Sequence, residues 1–254
     1  MNKYINSLAE KGFRVDGRKF DELRKPIKVE TGISNKAEGS AKVTWGETEV
    51  MVGVKMGVGV PYPDSPDEGV LITSAELSPM SDPTFLPGPP SPAAIELARI
   101  IDRGIRESKM IDVKKLCVRK GELVWTIFLD IYPVNNAGNL IDVASLAAVA
   151  ALKSAVFPKL EEDKILYGEF TKTKLPLNLV PITCTVAKLG DKILVDTILE
   201  EEENIETRVS VSASEKGDIH AMQKGGKGSL SIEEIDEMIG LAVKKISELR
   251  KVLK

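Results

Sequence analysis

The sequence predicts an α+β fold with internally duplicated βα units, each of two layers, a sheet and its helices. Two observations predict it. Strand-like runs followed by helical runs fill residues 31–158, and the same order returns in residues 178–254. A helix of small residues after a long apolar strand marks the centre of the core. We therefore expect an N-terminal helix and arm (1–30), a first unit (31–158), a charged connector (159–177) and a second unit (178–254) that ends in a long helix.

The N-terminal region predicts a short helix over residues 2–11, stopped at Gly12. The arm that follows, RVDGRKFDELR, contains Arg14, Arg18 and Arg24 around an Asp-Gly turn. Taken alone, such a turn among arginines is typical of solvated surface.

Three strands are predicted early in the first unit. Apolar and polar residues alternate over 39–45 and again over 50–56, on either side of a turn, which indicates a β-hairpin with one buried face. VLITSAEL, residues 70–77, indicates a third strand. The next segment, 79–92, holds six of the 14 prolines, and we expect an irregular, exposed loop there.

The helix after this loop carries three arginines on one face. Arg99, Arg103 and Arg106 stand at i, i+4 and i+7, over roughly 10 Å of helix axis, a spacing similar to that of phosphates on a single nucleic-acid strand. We call them the arginine stripe. Glu96 and Asp102 could instead pair with Arg99 and Arg106 as ordinary helix ion pairs. The residues alone leave open whether the stripe binds an anion or nucleic acid, or is a solvated helix face.

The centre of the first unit is a strand, a turn and a helix over residues 123–153. The strand is rich in β-branched and aromatic residues, and the turn at 135–139 (NNAGN) holds residues that tolerate left-handed backbone. Five alanines make the helix narrow enough to approach a sheet closely. Such a turn can bind an anion at the helix N-terminus, or it can be an ordinary connection, because it holds no cation of its own.

The second half of the chain begins with a charge-rich segment, 159–176, which we expect to be a connector. The strands expected after it span 180–189, 192–198, 208–214 and 219–223. Residues 224–228 (KGGKG) predict a flexible basic loop. The last helix begins at an S-x-x-E capping box formed by Ser231 and Glu234.

Composition argues against several classes of function. The formal net charge of -3 argues against a globally basic nucleic-acid binder, although a local basic surface remains open. Two separate cysteines, Cys117 and Cys184, and a lone His220 do not make a metal-ligand set, and we expect no metal and no cofactor. No apolar run approaches the roughly 20 residues of a membrane span, and the N-terminus lacks a signal-peptide pattern. A cytoplasmic protein without membrane contact is expected.

The chain resembles the RNase PH family in motifs that occur in the family's order. These are the RVDGR…ELR arm, the GSAKVTWGETEV hairpin, the arginine helix and the AGNL turn with its helix. The resemblance covers nearly the whole chain and is greatest to the non-catalytic RNase PH-like subunits of archaeal exosomes. It implies an RNase PH-type fold, pairing with a catalytic RNase PH-like sister subunit, and a hexameric ring of three such heterodimers. Single-stranded RNA and RNA-binding cap proteins are the other partners that it implies.

The resemblance also implies that the phosphate site is degenerate. Active family members carry Gly-Thr/Ser-Arg in the turn before the central helix, where the arginine holds phosphate. Here Gly138 matches, but Asn139 and Leu140 follow it. A leucine cannot neutralise phosphate.

The carboxylate site is expected to be degenerate as well. Active members place an essential aspartate about a dozen residues after a Val-Asp pair. In an alignment without a gap from Val195-Asp196, Arg208 takes that position, and Glu206 takes it only if the register shifts. Glu202 stands where active members often carry Asp. We therefore expect no catalytic residues.

The arginines, by contrast, match. In the resembling subunits, arginines that correspond to Arg99 and Arg103 reach across the dimer interface towards RNA in the sister's active site, and Arg106 is a third candidate. The function expected is a non-catalytic exosome subunit that structures the sister's active site and binds RNA. One alternative is an active phosphate-dependent 3′–5′ exoribonuclease. The other is a small-molecule enzyme such as a kinase, for which the glycine-rich nucleotide loop is missing.

Overall fold

The computed structural model describes residues 3–253 and has mixed α+β architecture, which confirms the predicted fold class. The helices are α1 Lys3–Glu10, α2 Pro92–Glu107, α3 Leu140–Ser154, α4 Leu199–Glu202 and α5 Ile232–Leu249. The strands are β1 Ile27–Thr31, β2 Gly39–Trp45, β3 Thr48–Gly59, β4 Val70–Ala75, β5 Cys117–Arg119, β6 Leu123–Asn135, β7 Val156–Glu161, β8 Lys164–Lys174, β9 Ile182–Leu189, β10 Lys192–Val195, β11 Thr207–Ala213 and β12 Ile219–Gly226. The expected start of the first helix at residue 2 lies outside the described residues.

The first unit is built on a six-stranded sheet in the order β1-β2-β3-β6-β4, with β5 paired to β6. The predicted hairpin is β2–β3, in which Trp45 lies opposite Thr48 across the turn. β4 and β6 are parallel, whereas the other pairs are antiparallel. A parallel pair needs a crossover connection, and here the crossover contains α2, which packs on β4.

The second unit is a four-stranded antiparallel sheet in the order β10-β9-β11-β12, and α5 packs on β9 and β11. Antiparallel strands followed by a helix thus occur in both units. α5 begins at the predicted capping box. Ser231 Oγ accepts a hydrogen bond from the Glu234 N–H at 3.2 Å, and the Glu234 carboxylate accepts one from the Ser231 N–H at 2.9 Å.

Helix α3 lies between the two sheets and forms the centre of the core, where it contacts β2, β3 and β9. Its small residues allow close packing, because a Cβ added at Gly39 would lie 2.5 Å from the Ala151 carbonyl oxygen. Its contact with the second unit is polar. Ser145 Oγ donates to Thr183 Oγ1 at 2.8 Å, and Thr183 Oγ1 lies 2.7 Å from Ser212 Oγ.

Two segments differ from the expectation. Residues 159–176, expected to be a connector, form most of the hairpin β7–β8. The charges of this segment lie on an exposed hairpin, and local composition does not distinguish that from a loop. Residues 224–226 of the expected flexible loop continue β12, because they pair with residues 207–209 of β11.

Candidate functional site

The turn that we expect to correspond to the family's phosphate site packs closely against the second unit. Gly138 has a φ of +91°, and a Cβ there would lie 2.4 Å from the Thr197 carbonyl oxygen. Asn139 is buried, with a φ of +60°. Its N–H donates to Glu202 Oε1 at 2.6 Å, and its side-chain amide donates to Asp196 Oδ1 at 3.0 Å. One of the N–H groups at the start of α3 is therefore bound by a carboxylate of the protein itself, which would also repel an anion there.

Asp196 is the buried acceptor beneath this turn, and the sequence did not reveal that role. Its carboxylate pairs with Arg24 at 2.7 Å and with Arg18 at 3.1 Å. It also accepts hydrogen bonds from Trp45 Nε1 and the Asn139 amide, both at 3.0 Å. One side chain thus connects the arm, the first sheet, the turn and the second unit. A Val-Asp pair after a strand was visible in the sequence, but no local pattern showed that the carboxylate is buried.

The arginines of the arm are not solvated surface, and that interpretation was wrong for them, although the Asp16-Gly17 turn itself is exposed. Arg14 is buried and forms an ion pair with Glu201 at 2.6 Å. Arg24 donates to the carbonyl oxygens of Ala137 at 2.6 Å and Gly138 at 3.1 Å, as well as to the aspartate below the turn. The five N–H donors of a guanidinium suit such multiple contacts. The carboxylates that bind Arg14 and Arg24 belong to the second unit, and local sequence patterns cannot reveal contacts over that distance in the chain.

A cavity of about 400 Å³ is lined by residues of both expected half-sites. Asn139 and Leu140 line one side, and Glu202 and Arg208 line the other. Its charged lining residues are Asp82, Glu96, Glu202, Glu203 and Arg208, that is, four carboxylates and one cation. Arg208 Nη2 lies 2.9 Å from Glu96 Oε1, and its charge is therefore already paired. The electrostatics of this cavity disfavour inorganic phosphate.

The carboxylate nearest the turn is held by the protein. Burial raises the pKa of Glu202, and hydrogen bonds from the Asn139 N–H and from Thr197 Oγ1, the latter at 3.0 Å, counteract the rise. The cavity lining includes Arg208 but not Glu206.

Arg99 is the unpaired guanidinium of the arginine stripe. The helix ion pair between Glu96 and Arg99 does not form, because Glu96 binds Arg208. Arg99 is exposed, and its side chain makes no hydrogen bond or ion pair within residues 3–253.

The other two arginines of the stripe have partners. Arg103 is half-buried and donates from Nη1 to Gln223 Oε1 on β12 at 2.6 Å. Arg106 forms the i,i+4 ion pair with Asp102 at 2.9 Å. None of the three lines the cavity. The structure therefore groups the residues of the two expected half-sites with each other and leaves the stripe on a separate surface of α2.

Two further groups are buried at the boundary of α3 and β9. Asp142 Oδ2 accepts a hydrogen bond from the Thr185 N–H at 3.0 Å, and burial raises the pKa of Asp142 to about 7. Burial likewise raises the pKa of the Cys184 thiol. Among residues 3–253, no group of three or more His, Cys, Asp or Glu side chains is placed to hold a metal ion. Within that range, no helix has the length and apolar character to cross a membrane.

Models of the 3′ exoribonuclease family match both units. The model of domain 1 matches residues 23–158, and the model of domain 2 matches residues 180–245. The chain belongs to the RNase PH family. The resemblance stated from the sequence motifs is thereby confirmed.

Curated relatives match this RNase PH family chain over nearly its full length. Exosome complex component Rrp42 of Methanocella arvoryzae is 49% identical, over 98% of this chain and 94% of the relative. Exosome complex component Rrp42 of Thermococcus gammatolerans is 47% identical, over 100% of this chain and 93% of the relative.

Solved structures show the same similarity. A chain of the Archaeoglobus fulgidus exosome with RNA bound to the active site superimposes with a TM-score of 0.91 at 41% identity, covering 99% of this chain and 97% of that one. A chain of an archaeal exosome core gives 0.87 at 39% identity, covering 99% and 95%. Rice Rrp46, at 20% identity and a TM-score of 0.70, shows the shared fold alone.

Proposed function

We propose that this chain is a non-catalytic subunit of an archaeal exosome that pairs with an active RNase PH-like sister subunit and binds RNA beside the sister's active site. One observation carries the proposal. The cavity at the family's phosphate position is lined by four carboxylates, and its single arginine, Arg208, is paired with Glu96. The similarity to Rrp42 components over nearly the full chain supports the assignment.

In this proposal, three heterodimers form a hexameric ring that carries RNA-binding cap proteins, and this chain structures the sister's active site. The high structural similarity to a chain of an archaeal exosome core supports the assembly. A cytoplasmic location belongs to the same proposal. It is supported by Cys117 and Cys184, which are both free thiols, as is usual in a reducing compartment.

The RNA contact is assigned to the arginine stripe. The exposed and unpaired guanidinium of Arg99 supports it most directly. Arg103 lies one helical turn further on, and Arg106 can bind phosphate only in competition with Asp102. The similarity to an exosome chain solved with RNA in the active site supports RNA as the ligand.

Phosphate-dependent degradation of a 5′-labelled poly(A) RNA tests the function. The assay compares this chain alone, the candidate sister subunit alone and the assembled mixture. We expect no degradation by this chain, and more degradation by the mixture than by the sister alone. Phosphate-dependent activity of the purified chain would overturn the non-catalytic assignment, and a mixture no more active than the sister would overturn the structuring role.

A further inference from the structure

A second cavity, of about 480 Å³, lies at the C-terminal end of α2. Tyr62 from the β3–β4 loop lines it, together with Lys109 and Lys114 from the segment that follows α2. Arg106 of the arginine stripe also lines it, whereas no residue is shared with the lining of the first cavity. This cavity therefore continues the surface of the stripe and is separate from the degenerate site.

The loop that carries Tyr62 is held in place. The Gly69 N–H donates to the Val113 carbonyl oxygen at 2.8 Å, and the Gly121 N–H donates to the Pro66 carbonyl oxygen at 2.7 Å. Tyr62 remains 57% exposed. An exposed aromatic ring on a fixed loop provides a surface on which a nucleic-acid base can stack, whatever its identity.

The charged side chains of this cavity that have no ion-pair partner carry a net positive charge. Lys109 and Lys114 are exposed, and neither forms an ion pair within residues 3–253. Of the two carboxylates in the lining, Asp112 is paired with Lys115 at 3.0 Å, which leaves Glu68. Two unpaired cations thus face one unpaired carboxylate.

Two carbonyl groups at the end of α2 are already bound. The Arg106 carbonyl oxygen accepts hydrogen bonds from the N–H groups of Ser108 and Lys109. The Ile105 carbonyl oxygen accepts one from the Met110 N–H at 3.1 Å. The partial negative charge of the helix C-terminus is therefore reduced where a phosphate would approach.

We propose that this cavity is a nucleotide subsite for single-stranded RNA, in which a base stacks on Tyr62 and the neighbouring phosphate contacts Lys109 and Lys114. Arg106 connects it to the stripe, because its guanidinium donates to the Leu71 carbonyl oxygen in the cavity wall at 3.3 Å. The inference rests on the proposed RNA-binding function and adds a second contact surface to it.

Binding of a fluorescent oligo(A) to the full chain, measured by anisotropy at several salt concentrations, tests the subsite. Tyr62→Ala should weaken binding about fivefold or more, since it removes the stacking ring, whereas Tyr62→Phe keeps the ring and should stay within about twofold of the parent. Lys114→Ala should reduce the slope of log affinity against log salt by about 0.7. The matched controls are Tyr167→Ala, an exposed tyrosine on β8, and Lys216→Ala, an exposed lysine in the β11–β12 turn, and both should bind as the parent does.

Including Arg99→Ala separates the subsite from the function on which it rests. If Tyr62→Ala and Lys114→Ala bind as the parent does while Arg99→Ala binds more weakly, the subsite is overturned and RNA binding by the stripe stands. The reverse pattern supports the subsite and overturns the stripe. If Tyr62→Phe loses as much affinity as Tyr62→Ala, base stacking is overturned. If neither the parent chain nor its assembled complex binds the oligonucleotide, the proposed function fails together with the subsite.

Discussion

The arginines of this protein differ in their capacity to bind a phosphate, because some are already paired with a carboxylate and others are not. Arg208 is neutralised by Glu96, and Arg106 is paired with Asp102, whereas Arg99 has no partner within residues 3–253. A paired guanidinium must give up its carboxylate before it binds a phosphate, whereas a free one need not. Similar arginines on one helix therefore have different capacities to bind RNA.

Arg99→Ala in the assembled complex should weaken binding of a single-stranded oligo(A) and reduce the salt slope by about 0.7, because one phosphate contact is lost. Arg106→Ala should have a smaller effect, because its guanidinium is already paired. Anisotropy titrations at several salt concentrations measure both. Arg119→Ala is the control, since Asp163 holds that guanidinium at 2.6 Å. Parental affinity and slope in the Arg99→Ala complex would contradict the assignment.

Asp142 makes stability depend on pH on the acid side of neutrality. Burial raises the pKa of its carboxyl from 3.8 to about 7, and folding therefore takes up a proton between these two values. The contribution of this group to stability is fully present below about pH 4 and is lost as pH rises towards 7. Asp142→Asn abolishes the proton uptake. The free energy of unfolding of the variant, relative to the parent, should therefore increase from pH 4 to pH 7 and then level off.

Denaturant unfolding of the parent and of Asp142→Asn at intervals between pH 4 and pH 8 measures this difference. A difference that stays constant over that range would contradict a carboxyl that titrates near neutrality in the folded protein.

Among the secondary-structure elements, helices α2 and α5 begin at local signals, whereas α3 does not. Ser91 caps α2 by accepting a hydrogen bond from the Ala94 N–H, and Ser231 caps α5. α3 has no side-chain cap, and Asn139, which precedes it, has left-handed backbone and donates its N–H to Glu202 of the second unit. Local patterns suffice for the first two helix starts, but a tertiary contact completes the third.

Ser231→Ala should destabilise the protein by about 1 kcal/mol, because the N-cap acceptor of α5 is lost. Ser247→Ala is a matched control in the same helix. Its exposed hydroxyl bonds only to the Val243 carbonyl oxygen, and the change should stay within about 0.5 kcal/mol. Chemical denaturation measures both variants, and equal losses would argue against the capping box as a stabilising element.

At the scale of the whole molecule, the two units and the arm meet at the Asp196 carboxylate. Arg18 and Arg24 approach it from the arm, Trp45 from the first sheet, and Asn139 from the turn before α3. Because the carboxylate is fully buried, removing its charge leaves Arg24 without a counterion and Arg18 with only Asp16, which is costlier than losing an exposed pair.

Asp196→Asn should destabilise the protein by roughly 3–5 kcal/mol. Asn tolerates the left-handed backbone of this residue (φ +50°), and the loss should therefore report the charge rather than backbone strain. Asp163→Asn is matched in backbone, with a φ of +64°, and in its arginine partner, but that pair is exposed and its loss should destabilise the protein much less. Thermal and denaturant unfolding compare the two. Equal losses of unfolding free energy in the two variants would contradict a larger contribution from the buried carboxylate of Asp196.

The sequence by itself determined the features whose information lies within a few residues. Alternation predicted β2 and β3, the S-x-x-E pattern predicted the start of α5, and small residues predicted the burial of α3. The order of the motifs identified the family. The resemblance also predicted two degenerate half-sites, and residues of both line one cavity.

Only the tertiary structure decided how charges are paired across the chain. Arg14 is buried in an ion pair with Glu201. Glu96 pairs with Arg208, and Arg99 therefore has no partner within residues 3–253. The charged segment after α3 forms a hairpin. The physical reason is the separation along the chain over which each interaction acts. Periodicity and capping involve residues within about four positions of each other, whereas an ion pair depends on which side chains the fold brings together.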